Sequence, residues 1–173
     1  VLRPLLKSDF EPINGNLLNP TAIDNQGSAD MANIGSLYIG ALDASGNPTI
    51  YGRSSNSDGD YTLKEIGLGE NREQFIANGS VVDLAHSPQG NGNTMYWIQG
   101  GRSLSFGNYF TRALSAKDQV LGIQQSDGTL IFLKLAELGL PFDDNDRYGY
   151  QALVFVPGNS QRADRLVIGG LQG

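Results

Sequence analysis

The chain has 173 residues, of which 39% are hydrophobic and 17% charged, a composition typical of folded proteins and not of disordered ones. Its formal net charge of −6 at pH 7 argues against general affinity for nucleic acid or for anionic membrane surfaces, both of which favour Lys and Arg. The absence of cysteine excludes disulfides, thiolate nucleophiles and zinc–sulfur sites. No apolar run approaches the roughly 20 residues of a membrane-spanning helix, so we expect neither a nucleic-acid partner nor membrane insertion.

Residues 1–33 differ from the rest, and we interpret them as an extended N-terminal arm that precedes a β-sandwich or barrel domain over 34–173. Pro4, Pro12 and Pro20 recur in this segment. Proline lacks a backbone donor and biases the preceding residue towards extended conformations, which fits neither a helix nor a central strand. The arm is too apolar for a solvated tail, so it either lies on a neighbouring subunit or packs on its own domain. Its apolar side chains are Leu2, Leu5, Leu6, Phe10, Ile13, Leu17 and Leu18.

From Ile34 onward, short strand patterns alternate with turns rich in Gly, Asn, Asp and Ser. The Asn78-Gly79 pair favours a tight hairpin, because both residues tolerate positive φ. One short helix is predicted over 134–138, ended by Gly139 with Pro141 beyond it. The predicted strands cover 34–42, 49–51, 61–63, 74–77, 80–84, 94–98, 103–106, 109–110, 120–124, 129–133, 150–156 and 165–168.

This pattern predicts an all-β fold, namely a sandwich or barrel of about ten short antiparallel strands. The extended N-terminal arm and at most one short helix complete the prediction. No long amphipathic helical pattern competes with it.

Catalytic groups are scarce in the sequence. His86 is the one histidine, and its neighbours Ala85, Ser87 and Pro88 include no carboxylate that could orient it in a Ser–His–Asp arrangement. One histidine without cysteine also argues against zinc and transition-metal sites. A glycoside hydrolase needs two carboxylates about 5–10 Å apart. Glu65, Asp83 and Asp118 are candidates, although any fold with eighteen acidic residues places some of them close together by chance.

Two acidic loops contain the oxygen ligands that calcium prefers. The first alternates like the start of a calcium-binding loop, but its twelfth position is Gly67 where a glutamate is required. The second has no internal glycine. We therefore interpret both as solvated turns and predict no cofactor. The residues concerned are Asn56, Asp58 and Asp60 in the first loop, and Asp143, Asp144 and Asp146 in the second.

Aromatic side chains beside glycine-rich turns suggest a ligand surface, since flat rings flanked by Asn and Gln donors suit sugars. Tyr96, Tyr109 and Tyr148 are the candidates for such a glycan-binding surface. Trp97 follows Tyr96 directly, so strand alternation places it on the opposite face, where we interpret it as a core residue.

The turn-rich β pattern, the apolar arm and the lack of a convincing catalytic group together favour a non-enzymatic structural subunit of an extracellular or viral assembly. Examples are a phage virion decoration, fibre or tail component and a subunit of a surface filament. Its partners would be copies of itself or other subunits, reached through the arm and through exposed β-edges. Two alternatives stay open: a carbohydrate-binding β-sandwich module that uses the three tyrosines, and a carboxylate-dependent glycoside hydrolase.

Overall fold

A computed structural model describes residues 19–27, 34–43, 45–55, 61–87, 94–100, 116–142 and 149–170. Within these ranges the strands pair antiparallel in three separate sheets, which confirms the predicted all-β class and antiparallel pairing. The described strands do not close into a barrel.

Sheet 1 is an up-and-down meander of four strands, in the order β1 (Asn19–Gly27), β2 (Ile34–Leu42), β3 (Pro48–Ser55) and β4 (Tyr61–Glu65). Its first strand lies within the predicted arm and occupies an edge of the sheet. An edge position tolerates Pro20, because the missing N–H is not required by a second neighbour. The ladder to β2 shifts register between Pro20 and Ala22.

Sheet 2 is a second four-stranded meander, and sheet 3 is a hairpin of two strands in the described part of the chain. Both follow the strand patterns expected from the sequence. Sheet 2 contains β5 (Val81–His86), β6 (Met95–Gln99), β7 (Val120–Gln124) and β8 (Leu130–Lys134), and sheet 3 contains β9 (Tyr150–Val156) and β10 (Arg165–Gly170).

The strand predicted over 74–77 is wrong, because this segment forms a short α-helix, α1 (Arg72–Ala77), after a 3-10 turn over Gly69–Asn71. A strand would place the side chains at 75 and 77 on one face, yet Phe75 is buried and Ala77 is exposed. The predicted hairpin turn is the end of this helix instead. Gly79 adopts φ 89° there, a conformation that favours glycine.

The short helix predicted over 134–138 is confirmed as a 3-10 helix over Leu135–Leu138. It ends at Gly139, whose φ of 74° is left-handed. A further 3-10 turn covers Ala116–Asp118.

Apolar side chains on the two faces of sheet 2 belong to two core clusters, one shared with sheet 1 and the other with sheet 3. Alternation in β6 shows this directly. Met95 and Trp97 pack towards sheet 1, whereas Tyr96 and Ile98 pack towards sheet 3. The first strand of each sheet contacts the first strand of the next, β1 with β5 and β5 with β9.

Trp97 is a core residue, as predicted, and is 0% exposed. Its indole lies 5.9 Å from the ring of Phe75 and 6.1 Å from that of Phe132, measured between centroids. Gly122 is its cross-strand partner on β7. A Cβ atom at position 122 would lie 2.0 Å from the indole, so the tryptophan fits because this position has no side chain.

Candidate assembly surface

Buried polar side chains fix sheet 3 against sheet 2. The amide of Gln119 is fully buried and binds both backbone groups of Tyr150, donating to its carbonyl oxygen at 2.9 Å and accepting from its N–H at 2.7 Å. The same side chain donates to the carbonyl oxygen of Gly100 at 3.1 Å. One carboxylate oxygen of Asp83, on β5, accepts from the backbone N–H of Leu153 at 2.7 Å. These bonds hold the backbone of β9 in place beside sheet 2.

The inward face of sheet 3 is apolar and packs on sheet 2. Leu153 is buried, and Phe155, Leu166 and Ile168 pack against the same cluster. The ring of Phe155 stacks on that of Tyr96, with centroids 5.8 Å apart and an interplanar angle of 16°. This side of the hairpin therefore completes the core between sheets 2 and 3.

The outward face of sheet 3 is also apolar, but it is open in the described structure. Val154, Val156 and Val167, here called the valine face, are 55%, 43% and 50% exposed. Val154 and Val167 are direct cross-strand partners, and Val156 lies opposite Arg165. Among the described residues, Leu138 is the one other large hydrophobic residue with comparable exposure, and it lies in a 3-10 helix outside the valine face. Among the described residues, exposed large apolar side chains are thus concentrated on this hairpin.

The edge of sheet 3 is a second feature of this surface. Sheets 1 and 2 have four strands each, while in the described ranges β10 has β9 as its single neighbour. An edge strand presents backbone N–H and C=O groups that can pair with another chain. In the described ranges, the hairpin therefore combines an apolar face with a strand edge.

Most of the residues predicted to form a site lie outside the described ranges. This is true of the seven apolar arm residues, of both proposed calcium loops, and of Tyr109 and Tyr148. Tyr96 is described, and it is half-buried between sheets 2 and 3 with one side of its ring against Phe155. Within the described part of the chain, no group of three His, Asp or Glu side chains is placed to hold a metal ion.

The structure puts the candidate catalytic residues in different settings. His86 is buried at the end of β5, where its ring meets that of Tyr38 edge-on at 5.3 Å. Glu65 lies on β4 in sheet 1, Asp83 holds the backbone of β9, and Asp118 is exposed in a 3-10 turn. The three carboxylates thus lie on different elements. Asp83 accepts a hydrogen bond from the backbone of β9, and Glu65 accepts hydrogen bonds from two side chains of sheet 1 and α1.

A charged cluster joins sheet 1 to α1. Nη1 of Arg72 donates to Oε1 of Glu65 at 2.7 Å, and the hydroxyl of Thr49 donates to the same oxygen at 2.7 Å. Asp43 lies 3.7 Å from the other terminal nitrogen of Arg72. The hydrogen bond and charge of Glu65 raise the pKa of Arg72. Because these charges are paired with one another, we interpret the cluster as structural.

Tyr51 lies beside this cluster. Its phenol is largely buried, and burial raises its pKa above the ordinary value, with the nearby negative charges of Glu65 and Asp43 acting in the same direction. The neutral phenol is therefore the form that this site stabilises.

The valine face was not predicted from the sequence, although a signal for it exists. Residues 152–156 read Ala-Leu-Val-Phe-Val, an apolar run without polar alternation. Such runs are typical of strands covered on both faces, whereas a strand with one solvated face alternates. The run therefore predicts a strand with apolar side chains on both faces.

Comparisons of the chain with protein-family models, with curated proteins and with solved structures give no match. In the described ranges, no helix has the length and apolar character needed to cross a membrane.

Proposed function

We propose that this protein is a non-enzymatic structural subunit of an extracellular or viral assembly, such as a phage virion component or a surface filament. The observation that carries the proposal is the valine face. Contiguous exposed apolar surface on a protein in water is typical of interaction sites. In this proposal the face-to-face sheets form the predicted sandwich, with sheet 3 as an additional layer.

Two further observations support an assembly role. The edge of β10 offers backbone groups for strand addition, a common way of joining subunits. Described side chains with ionisable or amide groups, such as Asp83, Gln119 and Glu65, form hydrogen bonds within this chain. The apolar arm, of which 1–18 precede β1, is proposed to contribute a second contact between subunits.

The test is the mass of the protein in solution as a function of concentration, measured by sedimentation velocity. The full chain is compared with a chain that lacks residues 1–18, a deletion that leaves β1 intact. We expect the full chain to associate as its concentration rises, and the truncated chain to associate more weakly. A full chain that stays monomeric throughout, together with unchanged unfolding of the truncated chain, would overturn the proposal.

A further inference from the structure

We propose that Asn78 is a latent site of spontaneous deamidation, which the packing of α1 keeps unreactive and which becomes reactive when the end of this helix opens. The inference is independent of the proposed function. Asn78-Gly79 is one of three Asn-Gly pairs in the sequence, beside Asn14-Gly15 and Asn91-Gly92. The structure describes Asn78-Gly79, and the other two pairs lie outside the described residues.

The reaction needs only the Asn-Gly pair and water. The backbone nitrogen of Gly79 attacks the side-chain carbonyl carbon of Asn78 and passes its proton to the departing nitrogen. The new C–N bond closes a succinimide ring, the bond from that carbon to Nδ2 breaks, and ammonia leaves. Water then opens the ring to an aspartyl or isoaspartyl residue. Asparagine is thermolabile, and a following glycine has no side chain to shield the attacking nitrogen.

The backbone of Asn78 has the wrong conformation for ring closure. The ring requires the nitrogen of Gly79 to lie beside Cβ of Asn78 when the Cα–C bond is viewed end-on. At the observed ψ of −13°, that nitrogen lies beside the backbone nitrogen of Asn78 instead. The N–H of Gly79 donates to the carbonyl oxygen of Ile76 at 3.2 Å and so holds this position. Ring closure therefore requires the peptide between Asn78 and Gly79 to rotate out of its helical position.

A buried glutamine opposes this rotation. Gln99, on β6, is 0% exposed, and its Nε2 donates to the carbonyl oxygens of Phe75 and Gly79, both at 2.9 Å. Its Oε1 accepts from the indole N–H of Trp97 at 2.9 Å. The two carbonyl groups lie on either side of Asn78 in the sequence, so one side chain holds the backbone before and after the reactive residue. Rotation would leave buried carbonyl oxygens without partners, which is unfavourable.

The departing nitrogen is also closed to water in the packed helix. Nδ2 of Asn78 is buried, and among the described residues it is the one buried side-chain polar atom without a hydrogen-bond partner. An unpartnered buried donor is unfavourable, so this atom gains a partner when the helix end opens to water. The helix has six residues, of which Phe75 is the buried one, so we expect it to open more readily than the strands.

The first experiment measures deamidation at the three Asn-Gly pairs by peptide mapping with mass spectrometry, while the full chain is incubated in mildly alkaline buffer. The wild type is compared in native buffer and in guanidinium chloride. We expect Asn78 to react at least about tenfold more slowly in native buffer, since the rate follows the population of the open form. In denaturant, Asn14 and Asn91 provide the reference and should react about as fast as Asn78.

The second experiment identifies what keeps the site closed. Gln99→Ala removes the bonds to the carbonyl oxygens of Phe75 and Gly79. Gln119→Ala is the matched control, because it removes an equally buried glutamine that binds β9 rather than α1. In native buffer, we expect Asn78 to react at least about tenfold faster in Gln99→Ala than in Gln119→Ala.

Equal rates at Asn78 in native buffer and in denaturant would overturn the proposal, and this comparison does not depend on the folding of any variant. The proposal would also be overturned if Asn78 reacted no faster in Gln99→Ala than in Gln119→Ala. Opening of the whole chain, rather than of α1, would then control the reaction. Either result would leave the proposed function standing, because that function does not depend on the reactivity of Asn78.

Discussion

Val154 lies directly opposite Val167 in the ladder of β9 and β10, and about half of each side chain is exposed. The next pair along the ladder, Phe155 and Leu166, points the other way and packs on sheet 2. The hairpin is thus apolar on both faces, as the central sheet is, while one of its faces is open in the described structure. This relationship, and the fold that creates it, underlie the proposed role.

Replacing Gly122 by alanine should destabilise the protein by about 1–3 kcal/mol, because the new methyl group overlaps the indole of Trp97, which is enclosed on all sides. The free energy of unfolding in urea measures this effect. Gly67→Ala is the matched control, since a Cβ atom there meets nothing within 4 Å. The control should change stability by less than about 0.5 kcal/mol. Equal effects of the two substitutions would show that Trp97 does not occupy the space above Gly122.

Replacing Gln119 by alanine should cost at least about 2 kcal/mol, since it leaves buried backbone groups of Tyr150 and Gly100 without partners. Hydrogen exchange should show loss of protection in β9 in particular. Gln125→Ala, an exposed glutamine in the turn after β7, provides the comparison and should leave both stability and exchange unchanged. A Gln119→Ala chain with full protection of β9 would mean that this side chain does not hold sheet 3.

The stability of the protein should fall as the pH rises above 10.0, the ordinary pKa of tyrosine, in part because of Tyr51. Its pKa is raised in the folded chain, chiefly by burial, so the unfolded chain loses the phenol proton first and alkali favours unfolding. The contribution of Tyr51 to stability is complete below the pKa that its phenol has in the unfolded chain. It is lost as the pH rises through the higher pKa that the phenol has in the folded chain. In Tyr51→Phe, the free energy of unfolding should decline less steeply above pH 10.0. An identical decline in both chains would contradict the burial of this phenol.

Local features of the fold could be predicted from the sequence. The alternation in β6 placed Trp97 in the core, and Asp127-Gly128 marked the turn between β7 and β8. The helix α1 was missed because Phe75 is its one buried residue, and a single buried side chain does not separate a period of 2 from one of 3.6.

The stacking of the sheets could not be predicted, because it depends on contacts between residues far apart in sequence. The bond from Leu153 to Asp83 is an example. That bond and the bonds of Gln119 hold the backbone of β9 beside sheet 2. The apolar run over 152–156 indicates that both faces of β9 favour contact with apolar groups. The run alone does not show which of the two faces packs on sheet 2.

The most direct test of the central claim is cross-linking between copies. The chain has no cysteine, so a single Val167→Cys substitution gives one reactive thiol in the middle of the valine face, and Leu138→Cys gives one at an equally exposed apolar position elsewhere. Both chains are treated at high protein concentration with a short, flexible thiol-reactive cross-linker. We predict that Val167→Cys forms covalent dimers in much higher yield than Leu138→Cys. Equal yields from the two chains would contradict a contact through the valine face.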